Sequence, residues 1–270
     1  SEGSQYLRTF FSLMHQIFRK IIGLSLLFLS FYFALSALQW HQKYEDGKGE
    51  YEELAQENTE KPKTEADNGT KMDPYMKIDW GKLKGQNSDL VGWIVMDPNV
   101  NYPVVQGEDN AYYLHRGFNR GYNINGCIFM SSNNSPDWTD PNTIVYGHNM
   151  RNGSMFGTNS KYMSKKYIKK HPYFYIYTED GRYIYEIFNT MTVQDASDAY
   201  EYFFETEDDF SDYLEKIQKN SSVMLKEKWP DVKDHIVTLS TCTAHGQLRF
   251  LIQGKLSRYE KDPYMQKAGS

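Results

Sequence analysis

Cys242 ends the segment TLSTC (238–242), directly after the apolar run His235–Ser240. A cysteine at a strand end, flanked by small polar residues, is where a scaffold presents a nucleophile. Free cysteines are more often small buried hydrophobes, and Cys127, inside the apolar segment GCIFM, suits that role better. A Cys127–Cys242 disulfide is a third arrangement, because the chain reads as exported. Spacing alone leaves these open.

A thiol near neutral pH is mostly protonated, so cysteine chemistry needs a histidine to form or stabilise the thiolate. Seven histidines compete for that role. His15 and His41 fall before and just after a long apolar segment, which leaves five. His148 stands in VYGHNM (145–150), just past a short apolar strand, with Gly147 permitting a sharp turn. His245 is close to Cys242 in sequence, but nearness on a turn does not ensure contact. Arg249 alternates with Leu251 and Gln253 on the last strand. A fixed cation there could stabilise an oxyanion; the plain alternative is a surface arginine.

Short strands must position these groups. LVGWIVM (90–96), NYPVVQ (101–106), GCIFMS (126–131) and TIVY (143–146) are bounded by turn chemistry, and Tyr173–Thr178, Tyr183–Val193, His235–Ser240 and Leu248–Leu256 complete the set. Pro103 favours an edge position for its strand. Glu179-Asp180-Gly181-Arg182 reads as a hairpin turn between aromatic strands. Helices are expected at Asp79–Asn87, over the lysine-rich Thr158–Lys170, and from Thr206. There Asp209 completes a capping-box pattern, and Phe210, Tyr213, Leu214 and Ile217 share one face. Many short strands with few helices indicate a mostly-β barrel or sandwich.

The 270 residues carry a net charge of −5 and 16% aromatic side chains. The aromatic load argues against disorder, and the acidic balance against a grip on nucleic acid. Two cysteines are too few for a disulfide scaffold or a four-cysteine zinc site. No metal-ligand cluster and no cofactor are expected. A mean hydropathy of −0.69 hides the uncharged run Ile21–Trp40, which as a helix of ~1.5 Å per residue spans a bilayer core of roughly 30 Å. Arg8, Arg19 and Lys20 precede it, so the positive-inside rule keeps the N-terminus in the cytoplasm and puts the rest outside. A cleaved signal peptide and a buried core helix are the rival readings. From Lys43 to Lys77 there are ten acids and six lysines, which suits a polar stem. The expected organisation is therefore 1–20 cytoplasmic, 21–40 transmembrane, 41–77 stem, 78–260 folded domain and 261–270 tail.

TLSTC, the downstream Arg249 with RFLIQGKL, and the upstream VYGHNM together resemble the sortases, and in detail class B. The likeness covers about 180 residues, from IDWGKLKGQNSDLVGWI through NYPVVQ, DNAYYLHRGF and YGHNMRNGSMFG to GKL. It includes the N-terminal anchor and a helix inserted at 206–219. Each motif alone is weak; jointly they are specific. The resemblance implies a closed eight-stranded β-barrel with inserted helices and a cysteine transpeptidase on the outer face of a Gram-positive membrane. It implies Cys242 as nucleophile, His148 as general acid/base and Arg249 as stabiliser of the oxyanion or substrate carbonyl. Cleavage would follow the Thr of a C-terminal sorting motif, NPxT-like for class B, on a surface protein. The thioester would then pass to an amine of a peptidoglycan precursor. In class B enzymes the serine two before the cysteine lines the groove, which matches Ser240. Asn110, Leu114 and Tyr200 match groove positions by spacing, with core packing the alternative for Leu114 and Tyr200.

Departures accompany the match. Thr243 stands where acids are frequent, the short Cys242-to-Arg249 spacing implies a trimmed loop, and Ser131 stands where an aspartate is common, so no catalytic acid is assigned. Asp73-Pro74-Tyr75 resembles the lid tripeptide of pilin-polymerising enzymes, although most Asp-Pro pairs merely start turns. Asp195–Glu215 holds nine acids and Lys161–Lys170 five lysines, which reads as solvated faces or, for the acids, as an attractor of basic substrate flanks. Three other functions compete: a pilin-polymerising sortase using a lysine amine, a papain-like protease, and a membrane-tethered scaffold or adhesin. The protease order, cysteine before histidine, is reversed here.

Overall fold

The computed structural model of the chain describes residues 2–60, 74–194, 196–242 and 248–264. The chain divides into two compact units, Ser1–Asp46 and Gly47–Ser270. Helix α1 runs from Glu2 to Asn58, and the helix expected at Asp79–Asn87 forms as α2 (Trp80–Gln86), capped by Asp79. In the first unit the apolar stretch of α1 is bare, with Leu27 69% and Phe28 71% exposed, and that helix is long and apolar enough to cross a membrane.

The stem expected over 41–77 is not uniform. From Gly47 onward α1 belongs to the second unit, and Gly47, Tyr51, Ala55 and Asn58 are buried along one side of it. That stripe is one residue wide between Lys48, Glu50, Glu52, Glu53 and Glu57, so local composition conceals it. The part of the expected stem at 61–73 lies outside the described residues.

Eight strands form the barrel: β1 (Leu90–Met96), β2 (Val100–Val105), β3 (Ile128–Met130), β4 (Asn142–Tyr146), β5 (Tyr173–Tyr177), β6 (Gly181–Val193), β7 (Ile236–Cys242) and β8 (Arg249–Lys261). Their order is β8-β7-β4-β3-β2-β1-β5-β6, and pairing of β6 with β8 closes the ring. The β4–β7 and β2–β3 pairs are parallel and the others antiparallel. The short strand Val223–Met224 adds to the outside of β6. Pro103 does not mark an edge: β2 pairs on both sides, but β3 engages only Val104 and Val105, which leaves Pro103 with one open flank.

Alternation along β7 sorts its side chains. All four of Val237, Thr238, Leu239 and Ser240 are buried, and alternation puts Thr238 and Ser240 on the face opposite Val237 and Leu239. On that outer face lies α4 (Glu207–Lys219), begun by the Thr206–Asp209 capping box and packed through Phe210, Tyr213, Leu214 and Ile217. Burial of these four side chains stabilises the contact by about 1.5–3 kcal/mol each. Tyr213 Oη accepts from Asn142 Nδ2 (3.0 Å) and Gln253 Nε2 (3.1 Å) and donates to the Ala199 carbonyl (3.2 Å). The lysine-rich segment is split rather than continuous. A 3-10 turn spans Asn159–Met163, and Ser164 then caps the short α3 (Lys165–Lys170).

Candidate active site

Beyond α4, at the end of β7, the outer face opens into a groove of about 280 Å³. It is lined by Ser240, Thr241, Tyr146 and Arg249 from the strands, by Asn110, Leu114, Phe129 and Tyr200, and by Gly147 and His148 just past the end of β4. Register explains the gathering. Ser240 lies beside Tyr146 in the parallel β4–β7 pair, and Cys242 lies directly opposite Arg249 in the antiparallel β7–β8 pair. Ser240, the second residue before Cys242 on β7, and Arg249, the backbone partner of Cys242 on β8, both line the groove.

His148 is half-buried and held from one side. Its Nε2 lies 2.6 Å from the Leu114 carbonyl oxygen, and its ring stacks on His115 at 5.7 Å. A carbonyl only accepts, so Nε2 carries the proton and the neutral ring keeps its lone pair on Nδ1. Burial chiefly, with repulsion from His115, pushes the His148 pKa below its ordinary value, while the Leu114 carbonyl opposes that shift. The site therefore favours a neutral imidazole at rest.

The groove residues inferred from spacing take distinct roles. Asn110 accepts from the Ser132 amide (2.8 Å) and donates to Ser131 Oγ (3.3 Å), which ties the loop after β2 to the end of β3. Ser131 thus serves that junction where an acid might have been sought. Tyr200 Oη and Ser240 Oγ are 2.7 Å apart, and Tyr200 stacks on Tyr146 at 6.2 Å, which in turn packs on Phe129 at 5.2 Å. Leu114 is 36% exposed rather than core. Sequence reading missed Phe129 and Tyr146, and it missed the backbone role of Leu114; Tyr146 carried one signal, its place beside Gly147-His148.

Other candidates fall away. Cys127 is a buried free thiol, so it forms no disulfide with Cys242; desolvation pushes its pKa up to about 12. His171 pairs with Asp97 at 2.7 Å, and His235 Nδ1 lies 3.2 Å from the Asp140 carbonyl. His245 and Thr243 lie outside the described residues, as does Asp73. Tyr75 packs on Tyr177 and under Arg182 near the Gly181 end of β6, whereas Arg249 pairs with Val193 at the opposite end. That placement gives no support to a lid over the groove. Among the described residues no cluster of histidines, cysteines and acids could hold a metal.

A profile of the sortase domain matches residues 95–257. Sortase B of Listeria monocytogenes is 39% identical over 182 residues, 64% of this chain and 72% of the relative. Sortase B of Staphylococcus aureus is 31% identical over 174 residues, covering 64% and 71%. Among solved structures, sortase B from Bacillus anthracis matches with a TM-score of 0.67 at 32% identity, over 80% of this chain and 98% of that one. A Staphylococcus aureus sortase B–substrate complex matches with a TM-score of 0.66 at 26% identity, over 82% and 99%. A closed barrel with these relatives defines a cysteine transpeptidase. The chain belongs to the sortase family, and the class B likeness read from its motifs is borne out. Family membership brings with it surface-protein substrates that carry sorting motifs.

Proposed function

We propose that this chain anchors surface proteins to the cell wall, with Cys242 as nucleophile, His148 as general acid/base and Arg249 as oxyanion stabiliser. The observation that carries this reading is the Cys242–Arg249 cross-strand pair at the end of the groove that His148 lines. Nδ1 of His148 takes the thiol proton, and the Cys242 sulfur attacks the Thr carbonyl carbon of an NPxT-like motif. The guanidinium of Arg249 balances the charge on the tetrahedral oxygen. Collapse breaks the C–N bond, the imidazolium protonates the leaving amine, and a thioester remains. An amine of a peptidoglycan precursor then attacks, gives its proton to His148, and expels the thiolate as the new amide forms.

The apolar part of α1 serves as a single-pass anchor, with the basic residues Arg8, Arg19 and Lys20 on the cytoplasmic side. Class B membership supports the wall acceptor over a pilin lysine, and Tyr75 supplies no lid for the latter.

The test incubates the full chain in detergent with NPxT-like peptides, with and without oligoglycine or diamino-acid acceptors, beside Cys242→Ala. Cys242-dependent joining of the acyl fragment to the amine is expected. Turnover by Cys242→Ala, or hydrolysis indifferent to added amine, would overturn the assignment.

A further inference from the structure

The segment Gly47–Asn58 of α1 touches the loop between β2 and β3 at several points. Tyr51 Oη donates to the Gly126 carbonyl at 2.6 Å, and Cys127 Sγ lies 3.0 Å from Tyr51 Oη. From the residue before Tyr51, Glu50 Oε2 accepts from Asn123 Nδ2 at 2.8 Å. The approach is close: a Cβ on Gly47 would lie 2.5 Å from Asn123 Oδ1 and 3.0 Å from Asn125 Nδ2. Tyr51 is 1% exposed, so its hydroxyl has no water to turn to.

The gripped loop is the one that holds His148. Gly126 adopts φ +58°, and a Cβ there would meet the Leu114 oxygen at 2.5 Å and the Tyr113 oxygen at 2.7 Å. Cys127 N donates to the Tyr113 carbonyl at 3.0 Å, and Asn123 N to the His115 carbonyl at 3.1 Å. The residues that Tyr51 and Glu50 grip therefore lie against the backbone of 113–115. That stretch supplies both partners of His148, the Leu114 carbonyl and the His115 ring.

We propose that Tyr51, assisted by Glu50, is a positioning residue for His148: through Gly126, Cys127 and Asn123 it fixes the 113–127 loop so that the Leu114 carbonyl selects the Nε2–H tautomer. This rests on His148 being the general acid/base. Leu114 lines the groove, whereas Asn123, Gly126 and Cys127, the residues that Tyr51 and Glu50 hold, do not. A loosened loop would let the imidazole rotate or exchange tautomers, and misplacement of a reacting group by ~1 Å can cost ~100-fold in rate.

The test uses the full chain in detergent with Tyr51→Phe, Glu50→Ala and Glu50→Gln, beside His148→Ala. Readouts are kcat and KM for an NPxT-like peptide, thermal melting, and the ring ¹⁵N shifts of His148. For Tyr51→Phe we expect a roughly tenfold fall in kcat with KM within about twofold, and a His148 ring that shows both tautomers where the parent shows Nε2–H. Glu50→Ala should act in the same direction more weakly, and Glu50→Gln, which keeps an acceptor oxygen, should restore the parent values. Lower melting with unchanged tautomer and kcat in Tyr51→Phe would overturn the proposal and leave a purely structural contact. Full activity in His148→Ala would instead overturn the assignment on which it rests, whatever Tyr51→Phe does.

Discussion

Gly147→Ala adds one methyl group beside His148, and the structure states where that methyl goes. The new Cβ would lie 2.5 Å from Ile128 Cδ1 and 2.7 Å from Phe156 Cδ2, against an ordinary carbon–carbon contact of ~3.5–4.0 Å. Both neighbours are fully buried, so something must move by ~1 Å. Ile128 and Phe156 have no free space to move into, so the strain is shared with the chain at 147–148. There the Gly147 amide donates to the Ser240 carbonyl at 3.1 Å and the His148 carbonyl accepts from Phe156 N at 2.9 Å. Overpacking of this kind costs about 1–3 kcal/mol of stability. A 1 Å displacement of His148 costs on the order of 100-fold in kcat/KM, or about 2.7 kcal/mol of barrier. The assay is peptide-to-amine transfer with thermal melting alongside. Ile128→Val deletes the atom met first, so Gly147→Ala/Ile128→Val should recover much of the activity although Ile128→Val alone costs about 0.5–1.5 kcal/mol. Gly85→Ala, where a Cβ meets nothing within 4 Å, is the control and should be active. Unchanged kcat/KM in Gly147→Ala would refute the claim that packing behind this glycine positions the histidine.

Iodoacetamide should label Cys242 in the folded chain but not Cys127, whose buried thiol stays protonated with a pKa near 12; mass spectrometry of Cys242→Ala should show no adduct until denaturant is added. Because burial and His115 both depress the His148 pKa, the acid limb of the kcat/KM profile should fall below 6.5. His115→Ala relieves both causes and should move that limb upward. Tyr213→Phe strips a hydroxyl from three buried partners, Asn142, Gln253 and the Ala199 carbonyl. It should cost about 1–3 kcal/mol, read as a shift of several degrees in melting temperature.

What was legible in the chain follows how local the physics is. The Thr206–Asp209 box and the apolar face of α4 involve neighbours a turn apart, and both form as read. The motifs around His148 and Arg249 were readable because strand-end residues beside glycine or small polar groups are few. The docked part of α1 was not, since Tyr51 and Ala55 are single buried positions among charges that dominate any window average. Ser164 was passed over because its lysine-rich flanks look uniform, yet its backbone amide closes the preceding turn on the Lys161 carbonyl and its side chain caps the following helix. The Phe129–Tyr146–Tyr200 row spans three separate segments, so no spacing within one segment announces it. The Leu114 carbonyl was beyond any residue pattern, because a backbone acceptor has no side-chain signature.

The Cys242–Arg249 rung is the last of seven consecutive pairs that start at Ile236–Lys255. Its alignment continues the ladder below it, and six residues, 243–248, connect the two strands in the sequence. Lengthening such a bridge costs only about 0.6 kcal/mol per doubling. A bridge of different length or composition would therefore leave the pairing of Cys242 with Arg249 in register.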